Sequence, residues 1–190
     1  AAAPAPTPGP PATRSKQLID ALDWAIAENA RQGSPYFGKL DTTKVAAMGQ
    51  SCGGVQAIEA SADPRVTTSG IWNSGLFPTP STMGGGKEMT KDDLKALHGP
   101  ALYVSGDETD IAFVNANDDY EKINHIPIFR AFEKGVGHNG THRQPNGGDF
   151  GKVSVAWLKW QLKGDQNASK MFVGADCGLC TDPKWVVKKK

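Results

Sequence analysis

Apolar residues near the start of the chain recur at the spacing of an amphipathic helix. Several of them fall three or four positions apart: Leu18, Ile19, Leu22, Ala25 and Ile26. Ser15 stands before this repeat as a candidate N-cap, and Gly33 with Pro35 follows it as a helix-ending pair. The pattern therefore predicts one amphipathic helix that begins after Ser15.

Short apolar runs alternate with helical segments along the rest of the chain. The predicted strands are residues 44–49, 66–72, 101–105 and 126–132. The predicted helices are residues 55–62, residues 91–97 with Thr90 as cap, and a closing helix with Phe150, Val153, Trp157 and Trp160 on one face. Such alternation is typical of a parallel sheet. We therefore expect the α/β class, with a predominantly parallel sheet flanked by helices.

The beginning of the chain differs in composition from the remainder. Residues 1–14 are mostly Ala, Pro, Gly and Thr, which bury too little apolar surface to order a chain. We predict a linker or surface arm there. The whole chain has 190 residues and is 38% hydrophobic, so residues 15–190 are expected to form one globular domain.

The charge balance gives no reason to expect a charged polymer as partner. The 21 Lys and Arg residues face 20 Asp and Glu residues, a formal net charge of +1, so no nucleic acid is expected. The basic residues 188–190 are predicted to be a solvated tail. No apolar run approaches the roughly 20 residues that cross a bilayer, so no membrane span is expected.

Three cysteines cannot all pair within one chain. Cys177 and Cys180 form a Cys-x-x-Cys pair, and Cys52 stands alone. A zinc site would need about four ligands, and a redox pair would stand at a helix start after a strand. We favour a small structural disulfide between Cys177 and Cys180, with pairing to a segment outside this sequence as the alternative. No metal is expected.

Two tripeptides match the acceptor pattern for N-glycosylation. They begin at Asn139 and Asn167. Together with the predicted disulfide, they favour a secreted, extracellular glycoprotein.

The pentapeptide Gly49-Gln50-Ser51-Cys52-Gly53 lies between a predicted strand and a predicted helix. A serine hydroxyl is a weak nucleophile that must be exposed and held in a fixed direction, and a Gly-x-Ser-x-Gly turn does both. We therefore predict that Ser51 is a catalytic nucleophile. The backbone N–H of Cys52 is predicted to face the position of an oxyanion.

An acid and a base follow Ser51 in the order that such hydrolases use. Three carboxylates, Asp107, Glu108 and Asp110, come after the third predicted strand, and His138 lies in a Gly-rich loop after the fourth. We predict His138 as the general base, with His142 as the alternative. Spacing alone leaves the choice of acid open.

On these motifs the chain resembles the α/β-hydrolase superfamily, in particular secreted members near the dienelactone-hydrolase, cutinase and polyester-hydrolase branches. Residues 44–54 are similar to the strand and nucleophile elbow of that branch, and Gly137-His138 to its histidine loop. The resemblance implies hydrolysis of a small or polymeric ester through an acyl-enzyme, with no cofactor.

The same resemblance assigns two further residues. The acid of that branch tends to precede an Ile-Ala pair, which selects Asp110 over Asp107 because Ile111 and Ala112 follow it. Trp72, at the end of a predicted strand, would by the same likeness face the substrate cleft, with a place in the core or at the rim as the alternative.

The chain departs from the superfamily pattern ahead of the elbow. Several strands normally precede the elbow strand, whereas here one helix and the Pro-rich arm do. The chain therefore looks like the C-terminal portion of the fold, with about four parallel strands. The elbow strand would lie at an open edge, which could pair with a missing N-terminal segment or with another protomer. The loop that normally carries the second oxyanion donor is not found before Ser51.

Two other functions remain open at this level. A non-catalytic binding or storage protein could keep the hydrolase scaffold, and a glycan on Asn139, beside His138, would crowd the cleft. A peptidase or acyltransferase could use the same three residues on a different bond.

Overall fold

A five-stranded sheet forms the centre of the protein. The structure, a computed structural model, describes residues 13–190. The strands are β1 Val45–Gln50, β2 Val66–Trp72, β3 Ala101–Gly106, β4 Ile128–Glu133 and β5 Trp185–Lys189. They lie side by side in chain order, with β1 to β4 parallel and β5 antiparallel to β4. The predicted α/β class with a mostly parallel sheet is confirmed.

Helices precede, connect and follow the parallel strands. They are α1 Lys16–Ala30, α2 Cys52–Ala60, α3 Phe113–Lys122, α4 Gly148–Lys163, α5 Gln166–Ser169 and α6 Gly178–Thr181. The segment predicted as a helix at residues 91–97 is a 3₁₀ helix, Lys91–Ala96, in which Thr90 and Asp93 form a reciprocal capping box. None of the helices in residues 13–190 combines the length and the apolar character needed to cross a membrane.

Each face of the sheet carries its own hydrophobic core. Because side chains alternate along a strand, Ile71 and Tyr103 pack into one core while Trp72 and Leu102 pack into the other. Helix α2 covers the first core, and the buried face of α4, which includes Trp157, covers the second. The sheet is therefore buried on both sides, and Ser51, Asp110 and His138 all lie beyond the carboxyl ends of its strands.

The C-terminal end is part of the sheet, which corrects the prediction of a solvated tail. Trp185 is buried against the Phe150 ring, with ring centroids 5.8 Å apart, and the rest of β5 pairs with β4. The Nζ of Lys190 donates to the carbonyl oxygen of Tyr120 at 2.8 Å. Lysines on an edge strand are common because they discourage pairing with other chains, and here they obscured the strand in the sequence.

Within residues 13–190, β1 forms the other edge of the sheet. An apolar groove of about 440 Å³ runs beside it, between Leu22 of α1, Met48 of β1 and Leu158 of α4. Helix α1 has no fully buried residue, although Ile19 packs against the first core. The pairing of this edge with another segment or protomer stays a prediction.

The Cys-x-x-Cys pair forms a disulfide. Cys177 and Cys180 are bonded, Cys177 is buried in the second core, and Cys52 is a free, exposed cysteine. The favoured interpretation of the pair as a structural disulfide is therefore confirmed.

Candidate active site

Ser51 lies at a sharp turn from β1 into α2. Its φ of 55° and ψ of −122° are rare for a residue with a side chain, and such strain persists only where the surroundings hold it. Its N–H donates to the Trp72 carbonyl at 3.0 Å, and the Ser74 hydroxyl donates to the Ser51 carbonyl at 2.7 Å. The end of β2 therefore fixes the backbone that carries the Ser51 hydroxyl.

The glycines around Ser51 are not equivalent. A Cβ on Gly49 would lie 2.0 Å from the Gly53 carbonyl oxygen, and one on Gly54 would lie 2.3 Å from the Ser74 Cβ. A Cβ on Gly53 would meet no described atom within 4 Å. The close packing of strand against helix therefore requires Gly49 and Gly54, whereas Gly53 completes the sequence pattern without a steric need.

Three of the predicted residues form one continuous line of hydrogen bonds. The Ser51 Oγ lies 2.9 Å from the Nε2 of His138, and the Nδ1 of His138 lies 2.7 Å from the Oδ1 of Asp110. A carboxylate can only accept, so Nδ1 donates to Asp110, and Nε2 is left to accept the Ser51 proton. The side chain of Asp110 is fully buried, and that of His138 is 26% exposed.

Asp110 is held by several donors. Its Oδ1 also accepts from the Ala112 N–H at 2.9 Å, and its Oδ2 accepts from the Asn73 amide at 2.8 Å and from the Gly106 N–H at 3.3 Å. A buried carboxylate needs such partners to compensate for lost hydration. These bonds fix the direction in which Asp110 faces His138.

Asp107, the alternative acid, has a different position. It is partly exposed, and its Oδ2 accepts from the Gly135 N–H at 2.6 Å, which joins the acid loop to the histidine loop. A hydrogen bond from the Thr109 hydroxyl lowers the pKa of Asp107. The structure thus places Asp110, and not Asp107, against His138.

The remaining predicted residues lie outside the line. Trp72 is 4% exposed and packs in the second core against Phe150, with ring centroids 5.8 Å apart, which corrects its predicted place facing the cleft. The side-chain alternation of β2 turns Trp72 to the face opposite Ile71. The His142 ring lies edge-on against both Trp72 and Phe150, and partial burial lowers its pKa.

The N-terminus of α2 faces the site. Cys52 is the first residue of α2, and the first N–H groups of a helix have no acceptor within the helix. Its backbone N–H, next to Ser51, is therefore available to a developing negative charge, which the helix dipole also favours. The exposed thiol of Cys52 lies on the cleft.

A mostly apolar cleft of about 170 Å³ opens beside Ser51. Its apolar side chains are Val55, Phe77, Met83, Ile111 and Ala112. Ile111 is 80% exposed and Met83 is 46% exposed, so part of the rim is open to solvent. The sequence singled out none of these apolar residues as part of a cleft, and the Met83-Gly84-Gly85-Gly86 segment gave no signal beyond a loop.

A buried carboxylate supports the wall of this cleft. The Oδ2 of Asp119 accepts from the Leu76 N–H at 2.9 Å and from the Tyr103 hydroxyl at 3.2 Å, and its Oδ1 accepts from Lys91 at 2.5 Å. Burial raises the pKa of Asp119 to about 6 although Lys91 acts against the rise. This network fixes Leu76, the neighbour of the cleft residue Phe77.

A second buried charge lies behind the acid loop. Arg130 is 1% exposed, packs against the rings of Phe113 and Phe132, and donates to the Ser105 hydroxyl at 2.7 Å. Burial lowers its pKa to about 10, and the negative charge of Asp110 opposes this shift. Residues 13–190 contain no group of three or more His, Cys, Asp or Glu side chains that could hold a metal ion.

A comparison with protein families gives a match over most of the chain. A family model described as PETase: PET hydrolase-like matches residues 7–184. The matched range contains Ser51, Asp110 and His138. A comparison with curated proteins gives no match.

Proposed function

Since the chain belongs to the PET hydrolase-like family and has the α/β-hydrolase fold, we propose that it is a serine hydrolase that cleaves carboxylic esters through an acyl-enzyme. The observation that carries the proposal is the unbroken line Ser51–His138–Asp110, with contacts of 2.9 Å and 2.7 Å. This arrangement supplies a nucleophile, a base and a group that orients the base.

In the proposed reaction, the Ser51 Oγ attacks the ester carbonyl carbon while the Nε2 of His138 takes the hydroxyl proton. The tetrahedral intermediate collapses, the bond to the alcohol oxygen breaks, and His138 gives its proton to the departing alcohol. A water molecule then attacks the acyl-enzyme with His138 again as base, which releases the acid and restores Ser51. Asp110 holds the tautomer of His138 and stabilises the imidazolium.

The Cys52 N–H is the proposed oxyanion donor. It would bind the negative oxygen that forms when Ser51 attacks, and a single donor of this kind is typically worth about 100- to 1000-fold in turnover. Gln50 supports the same geometry, because its amide donates to the His138 carbonyl at 3.0 Å and so fixes the histidine loop on the elbow strand.

The cleft favours an apolar ester. Val55, Phe77 and Ile111 line it, and none of the Lys, Arg, Asp or Glu side chains of residues 13–190 does. An apolar acyl or alcohol group would be desolvated there at little cost, whereas a charged group would find no Lys, Arg, Asp or Glu among the described lining residues. The open rim at Ile111 fits either a small ester or a segment of a polymer.

We propose that the protein acts outside the cell. The disulfide between Cys177 and Cys180 is of a kind that persists in oxidising surroundings, and the acceptor residues Asn139 and Asn167 are both exposed.

The test is turnover of short-chain p-nitrophenyl esters by the protein and by Ser51→Ala. We expect the variant to lose about 10⁴-fold or more of kcat, as removal of a catalytic serine does. Ser154→Ala is the matched control, because its hydroxyl donates to the Phe150 carbonyl within α4, and it is expected to keep wild-type kcat. Undiminished turnover by Ser51→Ala would overturn the proposal.

Product analysis separates the rival functions. With an added alcohol or amine, an acyltransferase forms a new ester or amide in preference to the free acid, and a peptidase cleaves a peptide faster than the matching ester. Absence of turnover together with retained binding of an apolar ester would favour a non-catalytic scaffold.

A further inference from the structure

Asn73 lies between the acid loop and the histidine loop. It directly follows β2 and is fully buried. Its Nδ2 lies 2.8 Å from the Oδ2 of Asp110 and 3.4 Å from the carbonyl oxygen of Gly137, the residue before His138. One amide group therefore contacts both segments that carry the proposed acid and base.

We propose that Asn73 is a positioning residue that acts on His138 through Asp110. This inference rests on the proposed function, because it assigns Asn73 a part in the same reaction. Asn73 fixes Oδ2 of Asp110, so that Oδ1 stays directed at the Nδ1 of His138. It also holds Gly137, in the histidine loop, close to Asp110.

The orientation of the amide follows from its neighbours. Asp110 Oδ2 and the Gly137 carbonyl are both acceptors, and only the NH₂ side of an amide can donate to them. The Oδ1 of Asn73 is then buried and has no donor among the described residues. A buried polar atom without a hydrogen-bond partner lowers the stability of the fold. The fold carries this free-energy cost at the residue whose NH₂ group donates to Asp110.

The backbone of Asn73 adds a second constraint. Its φ is 42°, in the left-handed region that Asn and Gly adopt more readily than other residues. Its own N–H donates to the Val104 carbonyl at 2.8 Å, which joins it to β3, the strand that leads to Asp110. Asn73 therefore combines a backbone turn at the end of β2 with an amide directed at the acid.

The experiment measures kcat and KM for a p-nitrophenyl ester in the protein, in Asn73→Gly and in Asn73→Asp. Glycine accepts the positive φ, so Asn73→Gly removes the amide without backbone strain. Aspartate keeps the shape and also tolerates the left-handed region, but it replaces the two donors with an acceptor. The second variant keeps the test decisive if the cavity left by the first lowers the stability of the fold.

We expect kcat to fall about 10- to 100-fold in both variants, the range of a hydrogen bond to a charged group, with KM within about twofold of wild type. Asn146→Gly is the matched control. Asn146 also has a positive φ, of 55°, but it is exposed, so this variant should keep wild-type kcat.

A double-mutant cycle tests the route of the effect. In an Asp110→Asn background, Asn73→Gly is expected to lower kcat by less than about twofold, because the carboxylate that Asn73 positions is no longer there. A general loss of structure would instead lower kcat equally in both backgrounds. Wild-type kcat in Asn73→Gly and Asn73→Asp, or an equal loss in the Asp110→Asn background, would overturn the inference.

The wild-type protein and Ser51→Ala are measured in the same series. An active wild type, an inactive Ser51→Ala and an unaffected Asn73→Gly would overturn the role of Asn73 alone. An inactive wild type, or a Ser51→Ala that keeps its turnover, would overturn the proposed function and the role of Asn73 with it.

Discussion

The two glycines of the Gly-x-Ser-x-Gly pattern are expected to respond in opposite ways to substitution by alanine. A Cβ on Gly49 would lie 2.0 Å from the Gly53 carbonyl oxygen, so β1 and α2 would have to part by about 1 Å to reach a tolerable contact. A Cβ on Gly53 would meet no described atom within 4 Å, and Gly53 lies inside α2.

The expected changes in stability and in kcat differ between the two alanine variants. Overpacking of a tight site costs about 1 to 3 kcal/mol, which lowers the melting temperature by roughly 2 to 12 °C in a chain of this size. Replacing a helical glycine by alanine contributes about 0.5 to 1 kcal/mol, which raises it by roughly 1 to 4 °C. Because a displacement of about 1 Å at a reacting atom can cost about 100-fold, Gly49→Ala should also lower kcat by that order.

Thermal unfolding and kcat with a p-nitrophenyl ester check both variants side by side. The expected result is a less stable and less active Gly49→Ala together with a Gly53→Ala that is at least as stable as wild type and equally active. Equal melting temperatures for the two variants, or full activity of Gly49→Ala, would refute the steric argument for the elbow.

Three further outcomes follow from the contacts. Asp110→Asn should lower kcat by about 10⁴-fold while Asp107→Asn stays within about threefold, and similar losses in both would contradict the assignment of the acid. Burial, followed by the negative charge of Asp149, raises the pKa of Glu133 from 4.5 to about 7. Because Glu133 loses its proton less readily in the folded protein than in the unfolded chain, the stability of the fold decreases as the pH rises from 4.5 to about 7. Glu133→Gln should therefore raise the free energy of unfolding, measured with urea, by about 1 to 3 kcal/mol at pH 8.5 but little at pH 5. Reduction of the bond between Cys177 and Cys180 should lower the free energy of unfolding by about 2 kcal/mol, as expected for so short a loop, and leave kcat unchanged.

The pattern of the sequence predicted most of the sheet because its parallel strands are short apolar runs. Strand β2 was predicted with its observed bounds, and the other parallel strands began or ended within two residues of theirs. Strand β5 was missed because lysines occupy its last positions, and its burial depends on Trp185 meeting Phe150 far away in the chain. Helix α3 was also missed, since few apolar residues mark its face.

The candidate site was predictable where local pattern defines it. Ser51 stands out because strand, glycine turn and helix follow one another directly, and His138 because a Gly-rich loop follows a strand. The choice of Asp110 over Asp107 came from family resemblance, since spacing cannot tell two neighbouring carboxylates apart. In the structure, the hydrogen bond from Asn73 to Asp110 and the hydrogen bond from Gly135 to Asp107 distinguish the two carboxylates.

Partners that are remote in sequence account for what the pattern missed. Asn73 and Asp110 are 37 positions apart, and Leu76 and Asp119 are 43 apart. The prediction that Trp72 faces the cleft was wrong because the face of β2 on which Trp72 lies packs against α4, which is far along the chain. One feature of the sequence indicates the positive φ of Asn73: it is an Asn that directly follows a strand and precedes Ser74 and Gly75.

Covalent labelling of the proposed nucleophile determines whether Ser51 is the reactive residue of the protein. The protein is incubated with a fluorophosphonate probe, and intact mass and peptide mapping give the number and the position of bound groups. We expect one probe per chain, attached to Ser51, and none in Ser51→Ala. An unlabelled wild-type protein, or a probe attached to any other residue, would contradict the assignment of Ser51 as the nucleophile.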